Sequence, residues 1–296
     1  MGAAERSMLR GPPRFRRSPL MPLVLERLTE DSPLTIDLGG IVPDRLADLA
    51  PDAIARLPIR VDGRPCELGS VFGLRGAATD GTIECRGDFS RVQRVGMLMA
   101  RGEIVVHGHV GRHAGERMTG GRLTVHGDAG DWLAAEMAGG TVQVAGNGGD
   151  NVAASLPGSV TGVRGGLVLV GGDVGCLAGA RMQRGLLAIG GHCGAAAAFE
   201  MRAGTVIVAG TVGPHAGMAM QRGSLIVGGP IPSPPTTFGR GVIWSPTFMP
   251  LLGGRLGRAG YRPGGADPRA FLAGSWQQWH GDRLTGGRGE IFHRPV

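Results

Sequence analysis

A glycine-marked segment recurs along the middle of this chain at a nearly constant interval, and this repeat restricts the possible folds more than any other feature. Each copy runs from one glycine to another six residues later, as in Gly102–Gly108 and Gly121–Gly127. The copies begin at residues 81, 102, 121, 140, 166, 185, 204 and 223, so five of the seven spacings are 19 residues. A period this strict predicts a solenoid in which each copy forms one turn and contacts its neighbours.

Within a copy, aliphatic residues such as Ile104 and Val106, or Leu123 and Val125, alternate with more polar residues. This alternation is typical of a half-buried strand, and the small residues between strands leave no run long enough for a helix. We therefore predict an all-β fold, a right-handed parallel β-helix with 19-residue turns, whose equivalent residues stack about 4.8 Å apart. One interior column comprises Ile104, Leu123, Val142, Val168, Leu187, Val206 and Leu225, and a second comprises Met99, Met118, Met137, Met182, Met201 and Met220. Interior packing explains these methionines better than binding of a soft metal.

After each strand the sequence continues with the pattern Gly-x-x-Gly-x-x-x-Gly/Ala, for example Gly108, Gly111 and Gly115. Because glycine adopts a positive φ without steric cost, we expect these residues to form the corners of the turns. A phosphate-binding loop would instead be a single glycine loop that opens a helix. Since the pattern occurs in every copy, the sequence disfavours nucleotide binding.

Composition narrows the function classes further. All 31 basic residues are arginine, 24 acidic residues oppose them, and the formal net charge is +7. This charge either favours an anionic partner, since arginine binds carboxylates and phosphates bidentately, or reflects an arginine-rich genome. An aromatic content of 4% disfavours stacking on nucleic acid. The four cysteines form no Cys-x-x-Cys pair, so we expect no zinc or iron–sulfur site. With no signal peptide or membrane helix recognised, we expect a cytoplasmic protein.

The sequence divides into four predicted regions. They are a flexible basic N-terminus over 1–30, an N-terminal cap over 31–80, the β-helix over 81–229, and a proline-rich connector with a C-terminal cap over 230–296. Caps are expected because a terminal turn of a solenoid exposes unpaired backbone groups.

Local patterns predict several elements in the caps. We expect a strand over 33–38 and helical turns over 44–56, broken near Pro51, in the N-terminal cap. The prolines predict an irregular connector over 230–250. Beyond it we expect a helix over 267–279 that is capped by Asp267 and covers the end of the solenoid.

The repeat over 81–229 resembles a β-helical domain that two protein families share, the C-terminal part of the large subunit of glutamate synthase and the C subunit of formylmethanofuran dehydrogenase. The tail Trp279–Ile291 contains Gly281-Asp282 and, further on, Gly287-Arg288-Gly289-Glu290, which is similar to the C-terminal pattern of the C-subunit family. The large amidotransferase and synthase domains that precede the solenoid in glutamate synthase have no counterpart here. On these features the chain is identified as a member of the C-subunit family.

The resemblance implies a non-catalytic structural subunit of a complex. Composition favours the bacterial branch, whose complex transfers a formyl group from formyl-tetrahydromethanopterin to methanofuran or methylofuran and hydrolyses it to formate. The partners would be the hydrolase, transferase and further structural subunits, with neither nucleic acid nor membrane. Methanofuran or methylofuran would be the carrier of the complex, with no cofactor bound tightly by this chain. The alternatives are a β-helical subunit of an archaeal-type formylmethanofuran dehydrogenase and a glutamate synthase-like scaffold domain.

The register of the repeat predicts no assembled catalytic or metal site. His107 and His126 share one position on adjacent turns, but no carboxylate repeats beside them, so two exposed histidines are favoured over a metal pair. Two charge pairs at equivalent positions are predicted to form surface ion pairs, Arg117 with Glu136 and Arg181 with Glu200.

Four arginines form the remaining candidate site. They lie near the end of the turn in four successive copies and are Arg164, Arg184, Arg202 and Arg222. The resemblance implies a furan cofactor with a glutamate tail, and a row of arginines can hold such an anionic chain through several charge-assisted contacts. The stripe is therefore either a track for this tail or a solvated edge that discourages pairing between sheets.

Overall fold

A computed structural model describes residues 22–28, 34–231 and 234–295, and this part of the chain is rich in β-structure, as predicted. Its strands are β1 Leu23–Arg27, β2 Ile36–Asp37, β3 Pro58–Val61, β4 Arg64–Glu67, β5 Phe72–Arg75, β6 Thr82–Arg86, β7 Val92–Gln93, β8 Glu103–Val106, β9 Arg122–Val125, β10 Thr141–Val144, β11 Leu167–Val170, β12 Leu186–Ile189, β13 Thr205–Val208, β14 Arg222–Val227, β15 Gly239–Trp244, β16 Trp276–Gly281 and β17 Arg288–His293. Its α-helices are α1 Pro43–Leu46, α2 Pro51–Ala55, α3 Phe248–Arg258 and α4 Pro268–Leu272.

Thirteen strands form one large, mostly parallel sheet in the order β15-β16-β17-β14-β13-β12-β11-β10-β9-β8-β6-β1-β5. Successive repeats pair residue for residue, so that Val142 lies between Leu123 and Val168. The longer spacing before β11 leaves this register unchanged. The predicted aliphatic column is confirmed as interior, because each of its members is at most 1% exposed. The methionine column is also buried, at 0% exposure throughout.

Two further series of contacts connect the repeats outside these strands. One is a series of parallel single β-bridges that joins Phe89, Val110, Ala129, Gly148, Val174, Cys193 and Val212. The other consists of backbone hydrogen bonds beside the methionines, such as that from the Thr119 N–H to the Met99 carbonyl at 2.9 Å. Each repeat is thus bonded to the next at three separate places, and the aliphatic and methionine columns belong to one continuous core.

The central glycine of the post-strand pattern is required for a reason other than the predicted one. At Gly130 and Gly213 a Cβ atom would lie 2.9 Å and 2.8 Å from a backbone nitrogen of the preceding repeat, although neither residue has a positive φ. The third glycine of the pattern does have the predicted positive φ, as at Gly115 with 69° and Gly217 with 75°, and so do residues with side chains, including Arg117 at 53°. The prediction of positive φ is therefore confirmed at the third position and wrong at the central glycines, which permit close backbone approach between repeats.

The N-terminal end of the large sheet is formed by β1 and β5. Most of the predicted flexible N-terminus lies outside the described residues, but its part over 23–27 forms β1, parallel to β6. The alternating Leu23 and Leu25 are 0% and 1% exposed, so their burial accounts for this strand. Beside it lies a smaller sheet in the order β4-β3-β2-β7.

The elements predicted for the N-terminal cap are partly confirmed. Helices α1 and α2 confirm the helical turns over 44–56 and the break near Pro51. Within the predicted strand over 33–38 the structure has only the two-residue β2, and Pro33 lies outside the described residues.

Two predictions for the C-terminal region are wrong. The connector over 230–250 is not irregular throughout, because it contains β15 and the beginning of α3. The helix predicted over 267–279 begins as expected, with the Asp267 carboxylate accepting the Arg269 N–H, but α4 ends at Leu272. Gly274, with φ 86°, follows it, and the chain then enters β16. The tertiary reason is β17, which pairs parallel to β14 and offers its other edge to β16.

A second core covers one half of the outer face of the large sheet. Its sheet residues lie on β11 to β14, on β17 and, with Trp276, on β16, and its covering residues are Met249, Leu256, Tyr261 and Leu272. The Tyr261 hydroxyl donates a hydrogen bond to the Ile189 carbonyl at 2.7 Å, which fixes the segment after α3 to β12. The C-terminal region therefore both extends the sheet and packs against it.

Candidate functional site

The four arginines of the predicted stripe are exposed along one corner of the repeat. They alternate between two positions, because Arg164 and Arg202 lie two residues before the opening glycine of a copy and Arg184 and Arg222 one residue before it. Their backbone N–H groups donate to the preceding repeat, for example Arg164 to the Met137 carbonyl at 2.7 Å. Within the described part of the chain, none of the four side chains forms an ion pair or hydrogen bond. The structure therefore places these charges on one surface with no partner from the described chain.

Both predicted charge pairs form between adjacent repeats. The Nε of Arg117 donates to Glu136 at 2.9 Å, and the Nε of Arg181 donates to Glu200 at 2.8 Å. Glu136 is only 8% exposed, so the first pair is more buried than a surface ion pair. Burial opposes ionisation of Glu136, but hydrogen bonds from Ser159 and Arg117 hold the pKa of this carboxyl below its ordinary value. These pairs connect successive repeats.

A series of polar side chains that the sequence analysis did not single out connects the repeats at another corner. Each but the last, Thr211, accepts the backbone N–H of the equivalent residue in the next repeat. The bonds run to His109 from Asp128 at 3.0 Å, to Asp128 from Asn147 at 2.6 Å, to Asn147 from Asp173 at 2.8 Å, to Asp173 from His192 at 2.6 Å, and to His192 from Thr211 at 3.1 Å. We call these six residues the acceptor ladder. It satisfies backbone groups that short turns would otherwise leave unpaired.

A detectable signal for the acceptor ladder exists in the sequence. Its residues recur at the period of the repeat and all but the last use a side-chain acceptor. Three residues further along, Asp131 accepts the Asp150 N–H at 3.0 Å and Asp150 accepts the Cys176 N–H at 2.7 Å. Aspartate and histidine at these positions therefore stabilise the stacking of repeats.

The histidine pair lies where the repeat predicted it. The ring centroids of His107 and His126 are 5.3 Å apart, and both residues are exposed. Glu84 approaches His107 to 3.3 Å but lies nearer to Arg86, at 2.8 Å. Among the described residues, no group of three or more histidine, cysteine, aspartate or glutamate side chains is arranged to hold a metal ion.

The two most buried cysteines belong to the core. Burial raises the pKa of both the Cys85 and the Cys193 thiols to about 12. A thiol with a raised pKa carries little thiolate near neutral pH and is a poor nucleophile. These cysteines therefore pack as small apolar side chains.

Two cavities lie near opposite ends of the repeat region. One of about 480 Å³ is lined by residues that include Asp37, Arg45, Arg60 and Arg94, and there Arg94 pairs with Asp37. The other, of about 520 Å³, is lined by residues that include Met218, Pro234, Pro235, Thr237 and Asp282. The Asp282 carboxylate is already bonded to the N–H groups of Ala219 and Leu284. Each cavity therefore has its carboxylate engaged within the protein.

Comparisons of the sequence and of the structure both match this chain to a protein of the formyltransferase/hydrolase complex of Methylorubrum extorquens. No protein-family profile matches the chain. A curated protein, the C subunit of the formyltransferase/hydrolase complex Fhc of Methylorubrum extorquens, is 35% identical over 86 residues, which are 29% of this chain and 32% of that protein. The sequence match thus spans about a third of the curated relative's length.

A structural match extends over nearly the whole chain. It is with a chain of the crystal structure of the formyltransferase/hydrolase complex FhcABCD from Methylorubrum extorquens in complex with methylofuran. The TM-score is 0.83 at 33% identity, and the match covers 92% of this chain and 100% of that chain. No helix among the described residues has the length and apolar character needed to cross a membrane.

Proposed function

We propose that this chain, which belongs to the C-subunit family of formyltransferase/hydrolase complexes, is a structural subunit of such a complex without a catalytic centre of its own. The complex would transfer a formyl group from formyl-tetrahydromethanopterin to methanofuran or methylofuran and hydrolyse it to formate in one-carbon metabolism. The hydrolase, transferase and further structural subunits would be the partners, and the furan would be the carrier of the complex. The match of 92% of this chain to one entire chain of the methylofuran-bound complex carries the proposal.

We further infer that the repeat over 81–229 is a right-handed parallel β-helix between caps over 31–80 and 230–296. The three series of contacts between equivalent residues support this architecture, since one flat sheet would need only one series. In a solenoid each turn is stabilised mainly by its neighbours. Such a body has a fixed length and presents regular faces, which suits a subunit that positions others.

The structural role is supported by how the polar residues are used. The acceptor ladder and the two arginine–glutamate pairs bond one repeat to the next, so the side chains most suited to acid–base chemistry have stacking partners. A general base must lie within hydrogen-bond reach of a substrate proton, and a nucleophile needs such a base beside it. The observed geometry favours a stabilising function for these residues.

The test is purification of the chain, tagged at its native locus, followed by identification of its partners by mass spectrometry. We expect hydrolase and transferase subunits in constant proportion to the chain. The chain purified alone should not turn over formyl-methylofuran, and turnover by it would contradict the absence of a catalytic centre. Co-purification with flavin and iron–sulfur subunits would support the glutamate synthase-like alternative instead.

We also propose that the arginine stripe, Arg164, Arg184, Arg202 and Arg222, holds the glutamate tail of the furan carrier. The stripe crosses four repeats, which at about 4.8 Å per step is roughly 14 Å along the sheet. Several exposed guanidinium groups restrain an anionic chain without fixing it, because each contact with water-exposed charge is weak and screened by salt.

Replacing all four stripe arginines with glutamine tests the track. Binding of a fluorescent oligoglutamate peptide should weaken by about tenfold at low ionic strength, and the difference should disappear at high salt. The matched control replaces Arg64, Arg255, Arg258 and Arg283, which removes the same charge outside the stripe. Equal binding by the two variants, or no change in either, would identify the stripe as a solubilising edge.

A further inference from the structure

The two ends of the large sheet are protected to different degrees. At one end, β5 carries Arg75, which forms an ion pair with Glu26 of β1 at 3.3 Å. At the other end, β15 is bonded to β16 alone among the described strands, and its one arginine, Arg240, lies at the start of the strand and donates to Gln277 of β16 at 3.1 Å. Its last three residues are apolar and exposed, with Val242 at 65%, Ile243 at 53% and Trp244 at 38%. Charged residues on an edge strand discourage pairing with other chains, and an exposed apolar edge favours it.

Two more exposed apolar residues follow at the start of α3, on the sheet face that Trp244 shares, whereas Ile243 lies opposite Gln277 on the other face of the edge strand. Phe248 and Leu251 are 36% and 76% exposed, and the Phe248 ring lies 5.8 Å from that of Phe292 in β17, which places the start of α3 beside the sheet. We define the β15 patch as Val242, Ile243, Trp244, Phe248 and Leu251. Patches of this kind on a soluble protein mark interaction sites.

The charge of the surrounding segment indicates the kind of partner. Between residues 234 and 281 the chain has five arginines and one carboxylate, Asp267, which gives a net charge of +4. The Asp267 carboxylate is engaged at the N-terminus of α4. If two copies of this chain paired through β15, both segments of +4 would face each other, which is unfavourable. An acidic surface on a different protein would be complementary.

We propose that the β15 patch is the docking surface for another subunit of the complex, which adds a strand to the free edge of β15 and carries acidic residues beside its apolar contacts. Strand addition combines main-chain hydrogen bonds with pockets for alternate side chains. Trp244 and Phe248 are the anchors, because large aromatic side chains contribute most at the centre of such interfaces. This assignment rests on the proposed function, which supplies a partner subunit.

The experiment compares tagged wild-type chain with the variants Ile243→Glu and Ile243→Arg in affinity purification of the native complex. Because Ile243 is exposed, both variants should keep the wild-type thermal unfolding temperature. Ile243→Glu should reduce the retained partner at least about tenfold, and Ile243→Arg should reduce it less, since an acidic partner tolerates the arginine. Val160→Glu is the matched control, because Val160 is also an exposed apolar residue, at 61%, on the insertion between β10 and β11.

Four other outcomes of this experiment would contradict the proposal or one of its parts. If the wild-type chain retains no subunits, the proposed function fails. If the wild-type chain and Ile243→Glu retain subunits equally, the β15 patch is not the docking surface. Equal losses from Ile243→Glu and Ile243→Arg would contradict an acidic partner. A dimer of the isolated chain that Ile243→Glu abolishes would show that a second copy occupies the patch.

Discussion

The outer face of the large sheet differs between its two halves although the strand pairing does not. One column of paired outer residues runs through Glu84, Val105, Thr124, Gln143, Leu169, Ala188, Ile207, Ile226 and Phe292. The first four are partly exposed, whereas the last five are at most 2% exposed. The same backbone register therefore supports a polar surface on the N-terminal half and a second core on the C-terminal half.

The difference arises from the segment that follows the repeats. Helices α3 and α4, with Tyr261 between them, cover β11 to β14, reach Gln143 of β10 at Gly260, and leave β8 and β9 uncovered by described elements. The interior columns are continuous through both halves. The comparison shows that the repeat is specified by its interior, and that the outer face is free to vary with what packs on it.

The largest loss of stability should come from a charged side chain placed in the interior, which is continuous through both halves. Met201→Asp in the C-terminal half and Met118→Asp in the N-terminal half should each destabilise the protein by several kcal/mol, on the order of 3–5, because an unpaired carboxylate would enter the core. Met182→Asp should behave like Met201→Asp. Chemical denaturation of each variant measures the free energy of unfolding. Wild-type stability of any of these variants would show that the methionine column does not face inward.

Substitutions on the outer face should lower stability by an intermediate amount in the covered half and hardly at all in the uncovered half. Ile207→Ala should cost about 2–5 kcal/mol, since Ile207 is fully buried under the second core. Thr124→Ala, at the same column position in the uncovered half, should change the unfolding free energy by less than about 0.5 kcal/mol. The same denaturation measurement compares them. Similar costs would mean that both halves are covered.

The smallest loss expected for a buried side chain concerns the Tyr261 hydroxyl, which bonds the covering segment to β12. Tyr261→Phe should lower stability by about 1 kcal/mol near neutral pH. The loss stays small because the Ile189 carbonyl also accepts the Ala209 N–H, at 2.9 Å. A loss of several kcal/mol would show that this single bond holds the second core in place.

The same variant predicts a pH dependence. Burial raises the pKa of the Tyr261 phenol above its ordinary value of 10.0, so above pH 10.0 the unfolded chain ionises this group and the folded chain does not. The advantage of the wild type over Tyr261→Phe is complete below that pH. It should shrink above it, by about 1.4 kcal/mol per pH unit, until the folded phenol also ionises. Denaturation at pH 8 and at pH 11 measures the two ends of this range, and a constant difference would contradict a buried phenol.

Burial on both sides of the C-terminal strands has a signal in the sequence. Leu167–Val170 is a continuous apolar run, which is typical of a strand buried on both faces, whereas Thr141–Val144 alternates. The pattern indicates that something covers β11, but it does not identify the covering segment. Trp276 illustrates the limit, because its neighbours predicted a helix and its pairing with Trp244 of β15 placed it in β16.

The sequence by itself determined the period, the register of the strands and the interior columns, together with the two arginine–glutamate pairs. These features depend on side chains that recur every 19 residues, so neighbouring copies specify each other through local contacts. Only the tertiary structure decided which half of the outer face is covered and how β15 becomes the edge strand of the described sheet with exposed apolar residues. Those outcomes depend on contacts between residues far apart in the chain, for which a single sequence carries no periodic signal.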